Sequence, residues 1–198
     1  GSIGNHGACV LTLLHGGYAR DHAAVKKGLD YIVTSKREQS GTYANALVLM
    51  ALQKFYEREQ REHGLLDAET PQKFEAARAK VHGAMSENHR KLAQTLLEEL
   101  EGARAAKGGY GYYGAAGRTS SLPSGTHCDN SCTQYAMLGF KAASMLGLRV
   151  DPRVFSDEAA RLLGLYDAPE GGREIEYEQP EPDADDKDRK KPRVTRRK

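Results

Sequence analysis

The stretch YANALVLMALQKFY, residues 43–56, decides the fold. Apolar side chains fall on nearly every side of it, with only Asn45, Gln53 and Lys54 as polar breaks before Phe55 and Tyr56. With successive side chains about 100° apart, no face is left for water, and a helix of that kind is normally buried. Residues 8–14 and 135–146 share the character. Between these runs lie one-sided stripes that fit helices with one face in solvent, such as Val25, Leu29, Ile32 and Val33. The longest covers 71–103, where Phe74, Ala77, Val81, Met85, Leu92, Leu96 and Leu100 share a face opposite charges. Read as one helix, it predicts a rod of roughly 50 Å at about 1.5 Å per residue.

Turn residues divide these segments into pairs. Gly17 precedes Asp21, and Gly147 precedes Asp151, at the interval of a helix stop, a short turn and a new N-cap. Thr70-Pro71 and Asp151-Pro152 add proline at a first helical position. Strand signals are nearly absent, so the pattern predicts an all-α protein of stacked helical hairpins, a buried helix and then an outer one, three times over. This domain is expected over 1–166. From about Asp167 prolines, glycines and dense charge replace apolar residues, and 167–198 reads as a disordered charged tail. Its basic end, 187–198, suits an acidic surface or a localisation signal, or is simply a solvated tail.

A chain of 198 residues is long enough for one domain with a real core. Its 29 basic and 27 acidic residues leave a net charge of +2, too weak a field to name nucleic acid or anionic lipid as a partner. Cys9, Cys128 and Cys132 are odd in number and unevenly spaced, which argues against a disulfide framework and favours a reducing, cytoplasmic compartment. No run reaches the ~18 apolar residues of a membrane span, and no signal peptide is recognisable. The start at Gly1-Ser2, without Met, suggests an excised or incomplete piece.

Three segments carry a resemblance. Lys27-Gly28, Tyr31-Ile32, Gln39, Gly41 and Tyr43 follow the order of the Gln-and-Trp repeat of squalene and oxidosqualene cyclases. The spacing before Gln39 is longer than in that motif, and Tyr43 stands where the motif has Trp, a residue this chain lacks. Gly108-Gly109-Tyr110-Gly111-Tyr112 again places glycine and aromatic residues before a buried helix. The run Asp129-Asn130-Ser131-Cys132-Thr133-Gln134-Tyr135-Ala136 is similar to the Asp-Asn-Ser-Asn-Thr-Gln-Tyr-Ala segment of bacterial proteins with prenyltransferase and squalene-oxidase repeats. The chain thus resembles the terpenoid-cyclase and protein-prenyltransferase α/α toroid, in which inner helices surround a cavity and outer helices form a second ring. Three pairs are too few to close that ring, so a partial toroid is expected: an open arc, a fragment or one part of an assembly.

The resemblance implies an isoprenoid-like apolar ligand, with Tyr43, Tyr110, Tyr112, Asp129, Gln134 and Tyr135 as candidate binding residues. Aromatic faces suit such a ligand, although these tyrosines, with Tyr113, also suit packing between repeats. Asp183-Ala184-Asp185-Asp186 matches the Asp-x-Asp-Asp acid of squalene-hopene cyclases letter for letter. A carboxyl that protonates an alkene must be held in a pocket, whereas this copy sits in the polar tail beside Lys187, so the catalytic role is not carried over. His127, Cys128, Asp129 and Cys132 are metal-ligand types, but zinc needs three or four converging side chains, and adjacent residues point apart. A loop with Asp129 or Ser131 as N-cap is the expected role, with no metal or cofactor. His63, His82 and His89 read as solvated, and His15 as a helix end. Neither a phosphate-cradling glycine loop nor a nucleophile elbow is present. The expected function is a toroid-type domain for an isoprenoid-like ligand without catalysis of its own; the alternative is a helical-repeat scaffold that binds protein on its concave face.

Overall fold

The computed structural model describes residues 2–35, 41–105, 108–112 and 128–166. Gln39, Tyr113, His127 and the whole tail, with its Asp183 to Asp186 motif and basic end, lie outside the described residues. Within them the chain is all-helical: α1 (Ile3–His15), α2 (Ala23–Thr34), α3 (Thr42–Phe55), α4 (Glu57–Glu62), α5 (Pro71–Ala84), α6 (Glu87–Gly102), α7 (Asn130–Met145) and α8 (Arg153–Tyr166). No described helix is long and apolar enough to cross a membrane.

The three runs rich in apolar residues become a row of neighbours, α1, α3 and α7, with α3 in the middle. Small residues set their spacing and reveal their direction. A Cβ on Gly4 would meet Ala44, and one on Gly7 would meet Val48, so α1 and α3 advance together. Tyr43 packs on Tyr135, and Gly139 lies against Ala46, so α3 and α7 do the same. All three inner helices are therefore parallel, and each junction needs a return helix on the outside. The outer helix α2 packs on α1, and α6 packs on both α3 and α7. Val48, Leu49, Leu52, Leu96, Leu97, Leu100, Ala136 and Phe140 fill the core between the layers. Burying such a side chain contributes about 1.5–3 kcal/mol, which makes this inner-outer seam the main source of stability.

The extent of burial differs along the row. Every side chain of α3 is at least half-buried, as its composition requires. Helix α1 was expected to be buried all round, yet only Ile3, Gly4, Gly7 and Val10 are, while Asn5, Cys9 and Thr12 face solvent. Its position at the end of the row explains this, since it has an inner neighbour on one side only.

The stripe over 71–103 is two helices, not one rod. Met85 and Ser86 adopt extended backbone, and the Ser86 hydroxyl accepts the His89 amide as a new N-cap. The break is tied down by Tyr56, whose hydroxyl accepts the Ser86 amide at 3.1 Å and bonds His89 Nδ1 at 2.8 Å. His89 is therefore not a solvated histidine: it is half-buried against the Phe55 and Tyr56 rings, and desolvation pushes its pKa below the ordinary 6.5. Separated from α6, α5 builds a small second core from Leu65, Ala77 and Val81 with Phe74 and Met145.

Turn chemistry follows the sequence closely elsewhere. Gly17 and Gly147 both take φ +85° after their helices, the left-handed geometry glycine permits. Thr70 caps α5 with Pro71 in its first turn, and Asp151 accepts the Arg153 amide at the start of α8. The α2 cap is one residue later than expected, because His22 rather than Asp21 accepts the Ala24 amide.

Candidate functional site

Parallel inner helices bring their N-termini to one end of the molecule, and the glycine-aromatic segment 108–112 crosses that end. Thr42, at the start of α3, donates its amide to the Tyr112 carbonyl at 3.0 Å and its hydroxyl to the Gly111 carbonyl at 2.6 Å. Tyr110 receives the Asp129 amide on its carbonyl at 2.9 Å and gives its own amide to the Thr133 hydroxyl at 3.0 Å. One short segment thus joins α3 to α7. It also reaches α8: the Gly109 amide donates to the buried Glu158 carboxylate at 2.6 Å, which Arg161 pairs from its other side at 2.6 Å. Gly109 has φ +78°, and a Cβ there would stand 2.6 Å from Cys128, so this crossing requires glycine twice over.

Asp129 caps α7, accepting the Ser131 amide at 2.7 Å and the Cys132 amide at 3.1 Å, as its residue type suggested. The Ser131 hydroxyl donates to the same Oδ1. Since Ser131 has a single hydroxyl proton and spends it on the carboxylate, Tyr43 must be the donor in the Tyr43–Ser131 bond. The hydroxyl bond from Ser131, then the Cys132 amide, hold the Asp129 carboxyl below the usual carboxylate range. The proximity of that charge raises the pKa of Tyr112.

Four of the six candidate residues therefore meet. Tyr43 stands between Tyr135 and Tyr112, with ring centroids 4.7 and 5.7 Å away, its hydroxyl bonds Ser131, and the Asp129 charge acts on Tyr112. Tyr112 is exposed, while Tyr43 and Tyr135 are half-buried, so the three form a shelf at the surface. Tyr110 is elsewhere: it is fully buried, edge-on to Phe140, and desolvation raises its pKa to about 12. Gln134, one helical step round from Tyr135, lines a different feature.

That feature is a cleft of about 430 Å³ between α7 and α8, lined by Asn130, Thr133, Gln134, Met137, Leu138, Lys141, Phe155 and Leu162. Leu138 and Phe155 are exposed, as is Leu163 on the neighbouring face of α8. Sequence reasoning named only Gln134 here. The available signal was that α8 carries Val154, Phe155, Leu162 and Leu163, more apolar surface than one buried stripe uses. A second hollow, of about 610 Å³, lies by Tyr18, Arg20, Lys54, Phe55 and Arg58. Its cations are taken by Glu59, Glu57 and Glu62, so it reads as an ion-paired joint rather than a receptor.

Among the described residues no group of three His, Cys, Asp or Glu side chains is placed to hold a metal ion. Cys128 is exposed at the foot of the 108–112 crossing and Cys132 is buried inside α7, so the two thiols of the expected cluster occupy different surroundings. Comparison with family models, with curated proteins and with solved structures found no match.

Proposed function

We propose that this domain binds an isoprenoid-like apolar ligand in the cleft between α7 and α8. One observation carries the reading: Met137, Leu138, Phe155 and Leu162 make an apolar bed, while Gln134, Asn130 and Lys141 put amide and ammonium groups on the same lining. Ligand pockets commonly have that make-up, a mostly apolar wall with a few polar groups that fix orientation, in a volume of about 300–1,000 Å³. The cyclase-like resemblance of 27–43 and 129–136 is the reason for naming an isoprenoid-like ligand. The domain binds and positions; no reaction is assigned to it.

The test is photo-crosslinking with a diazirine-bearing farnesyl probe, mapped by mass spectrometry. Labels are expected on Met137, Leu138, Phe155 or Leu162, and Leu138→Asp, at an exposed position, should remove them without changing helix content. Labelling spread over the surface, or undiminished in Leu138→Asp, sinks the proposal. The second reading, a scaffold that docks protein, is favoured by Leu163, which is 63% exposed and outside the cleft. A variant Leu163→Asp that keeps the farnesyl labels but loses a co-purifying protein would favour the scaffold.

A further inference from the structure

The shelf formed by Tyr43, Tyr112 and Tyr135 is not used by the cleft, and its chemistry differs. We propose that it is a binding site for an organic cation of the quaternary ammonium type, held over the tyrosine faces beside the Asp129 carboxylate. The inference stands independently of the α7–α8 cleft.

Three observations support it. First, three tyrosine rings lie in one run with centroid separations of 4.7 and 5.7 Å, tilted by 56° and 39°. The negative π-face of an exposed or half-buried ring attracts a cation, and three such rings lie together here. Second, the carboxylate is present and its first oxygen is committed. Oδ1 accepts the Ser131 amide, the Ser131 hydroxyl and the Cys132 amide, and the charge lies close enough to Tyr112 to raise its pKa. Its hydrogen bonds come from a hydroxyl and two amides, and it makes no ion pair with a described lysine or arginine. Third, Tyr112 is 56% exposed, so a ligand can reach the shelf without displacing core.

The type of cation follows from the position of the acid. Asp129 is the N-cap of α7, and a helix N-terminus carries roughly half a positive charge, which offsets part of the carboxylate. A compact, strongly hydrated ion such as Na⁺ or a primary ammonium gains too little there to shed its water. A quaternary ammonium is weakly hydrated and spreads its charge over methyl groups that pack on ring faces, so the rings supply most of the attraction and the carboxylate the rest.

The experiment uses the full chain and choline, with the neutral isostere 3,3-dimethylbutan-1-ol as control, followed by the ring-current shift and saturation transfer of the ligand methyl protons. Choline should bind at least about five-fold more tightly than the alcohol, because only the charged ligand gains cation–π attraction from the exposed rings. Tyr112→Leu should lower choline affinity by at least about three-fold with an unchanged melting temperature, because that side chain is exposed. Asp129→Asn keeps a good N-cap oxygen while removing the charge, and should weaken choline but not the alcohol. Equal binding of choline and alcohol, no binding of choline, or full choline affinity in both variants overturns the proposal.

Discussion

Replacing Tyr56 by Phe removes one oxygen atom and tests why the helix over 71–103 is broken. The ring itself, 5% exposed, stays in the core, so the substitution isolates the hydroxyl. That hydroxyl accepts the Ser86 amide at 3.1 Å, one of the donors set free where α5 stops and α6 begins, and is hydrogen-bonded to His89 Nδ1 at 2.8 Å. Each bond contributes a net value of about 1 kcal/mol, so their joint loss should cost about 2 kcal/mol. For a domain of this size each kcal/mol moves the melting temperature by about 2–4 °C, so Tyr56→Phe should melt roughly 4–8 °C lower. Far-UV circular dichroism on heating reads this directly. Tyr43→Phe is the control, because the Tyr43 bond to Ser131 is at the surface and its loss can be replaced by water. A Tyr56→Phe melting temperature within about 1 °C of the parent, or a fall equal to that of Tyr43→Phe, would refute the idea that Tyr56 holds the break.

Acid should destabilise the fold through His89: desolvation holds its folded pKa below 6.5, so as pH falls below that value the unfolded chain takes the proton first. Stability is full above about 6.5 and declines below it, and the melting temperature of His89→Gln should fall less than that of the parent between pH 7.5 and 5.5, checked by parallel thermal melts. Gly147→Ala should cost about 1–3 kcal/mol in urea unfolding, because the residue holds φ +85° and a Cβ would lie 2.5 Å from the Arg78 carbonyl oxygen. Tyr110→Phe should be neutral or raise the unfolding free energy by up to about 1 kcal/mol in the same assay, since the buried Tyr110 hydroxyl finds no partner among the described residues.

Much of the fold was legible because it is local chemistry repeated. The composition of 43–56 alone required a helix with neighbours on several sides, and α3 has α1, α7 and α6. Glycine stops at Gly17 and Gly147, and the Thr70-Pro71 start, are backbone geometry written in single residues. The rod over 71–103 failed for a different reason. Its apolar stripe keeps helical spacing across Met85 and Ser86, so periodicity gives no sign of a break, and the Ser86 cap counts only because Tyr56, thirty positions earlier, comes to receive the freed amide. The burial of α1 failed likewise: apolar composition says how much surface a helix can hide, whereas its place at the end of the row decides how much it does hide.

The candidate site shows the same division at the scale of one pentapeptide. Gly108-Gly109-Tyr110-Gly111-Tyr112 presents two tyrosines in nearly identical contexts, and nothing in their own neighbourhood ranks them. Their fates are set by distant partners. Thr133 receives the Tyr110 amide and Phe140 takes its ring edge, which commits Tyr110 to the core, while Thr42 binds the carbonyl of Tyr112 and leaves its side chain outside next to Tyr43. The turn that seals the end of the inner helices is therefore also the part that supplies the shelf with its exposed ring. Structure and binding surface are separable within it: Tyr110 and Gly109 serve the seal, Tyr112 serves the surface. A substitution at Tyr112 can alter recognition at little cost in stability, because the hydrogen bonds that hold the segment run through its backbone and the Tyr112 side chain is exposed.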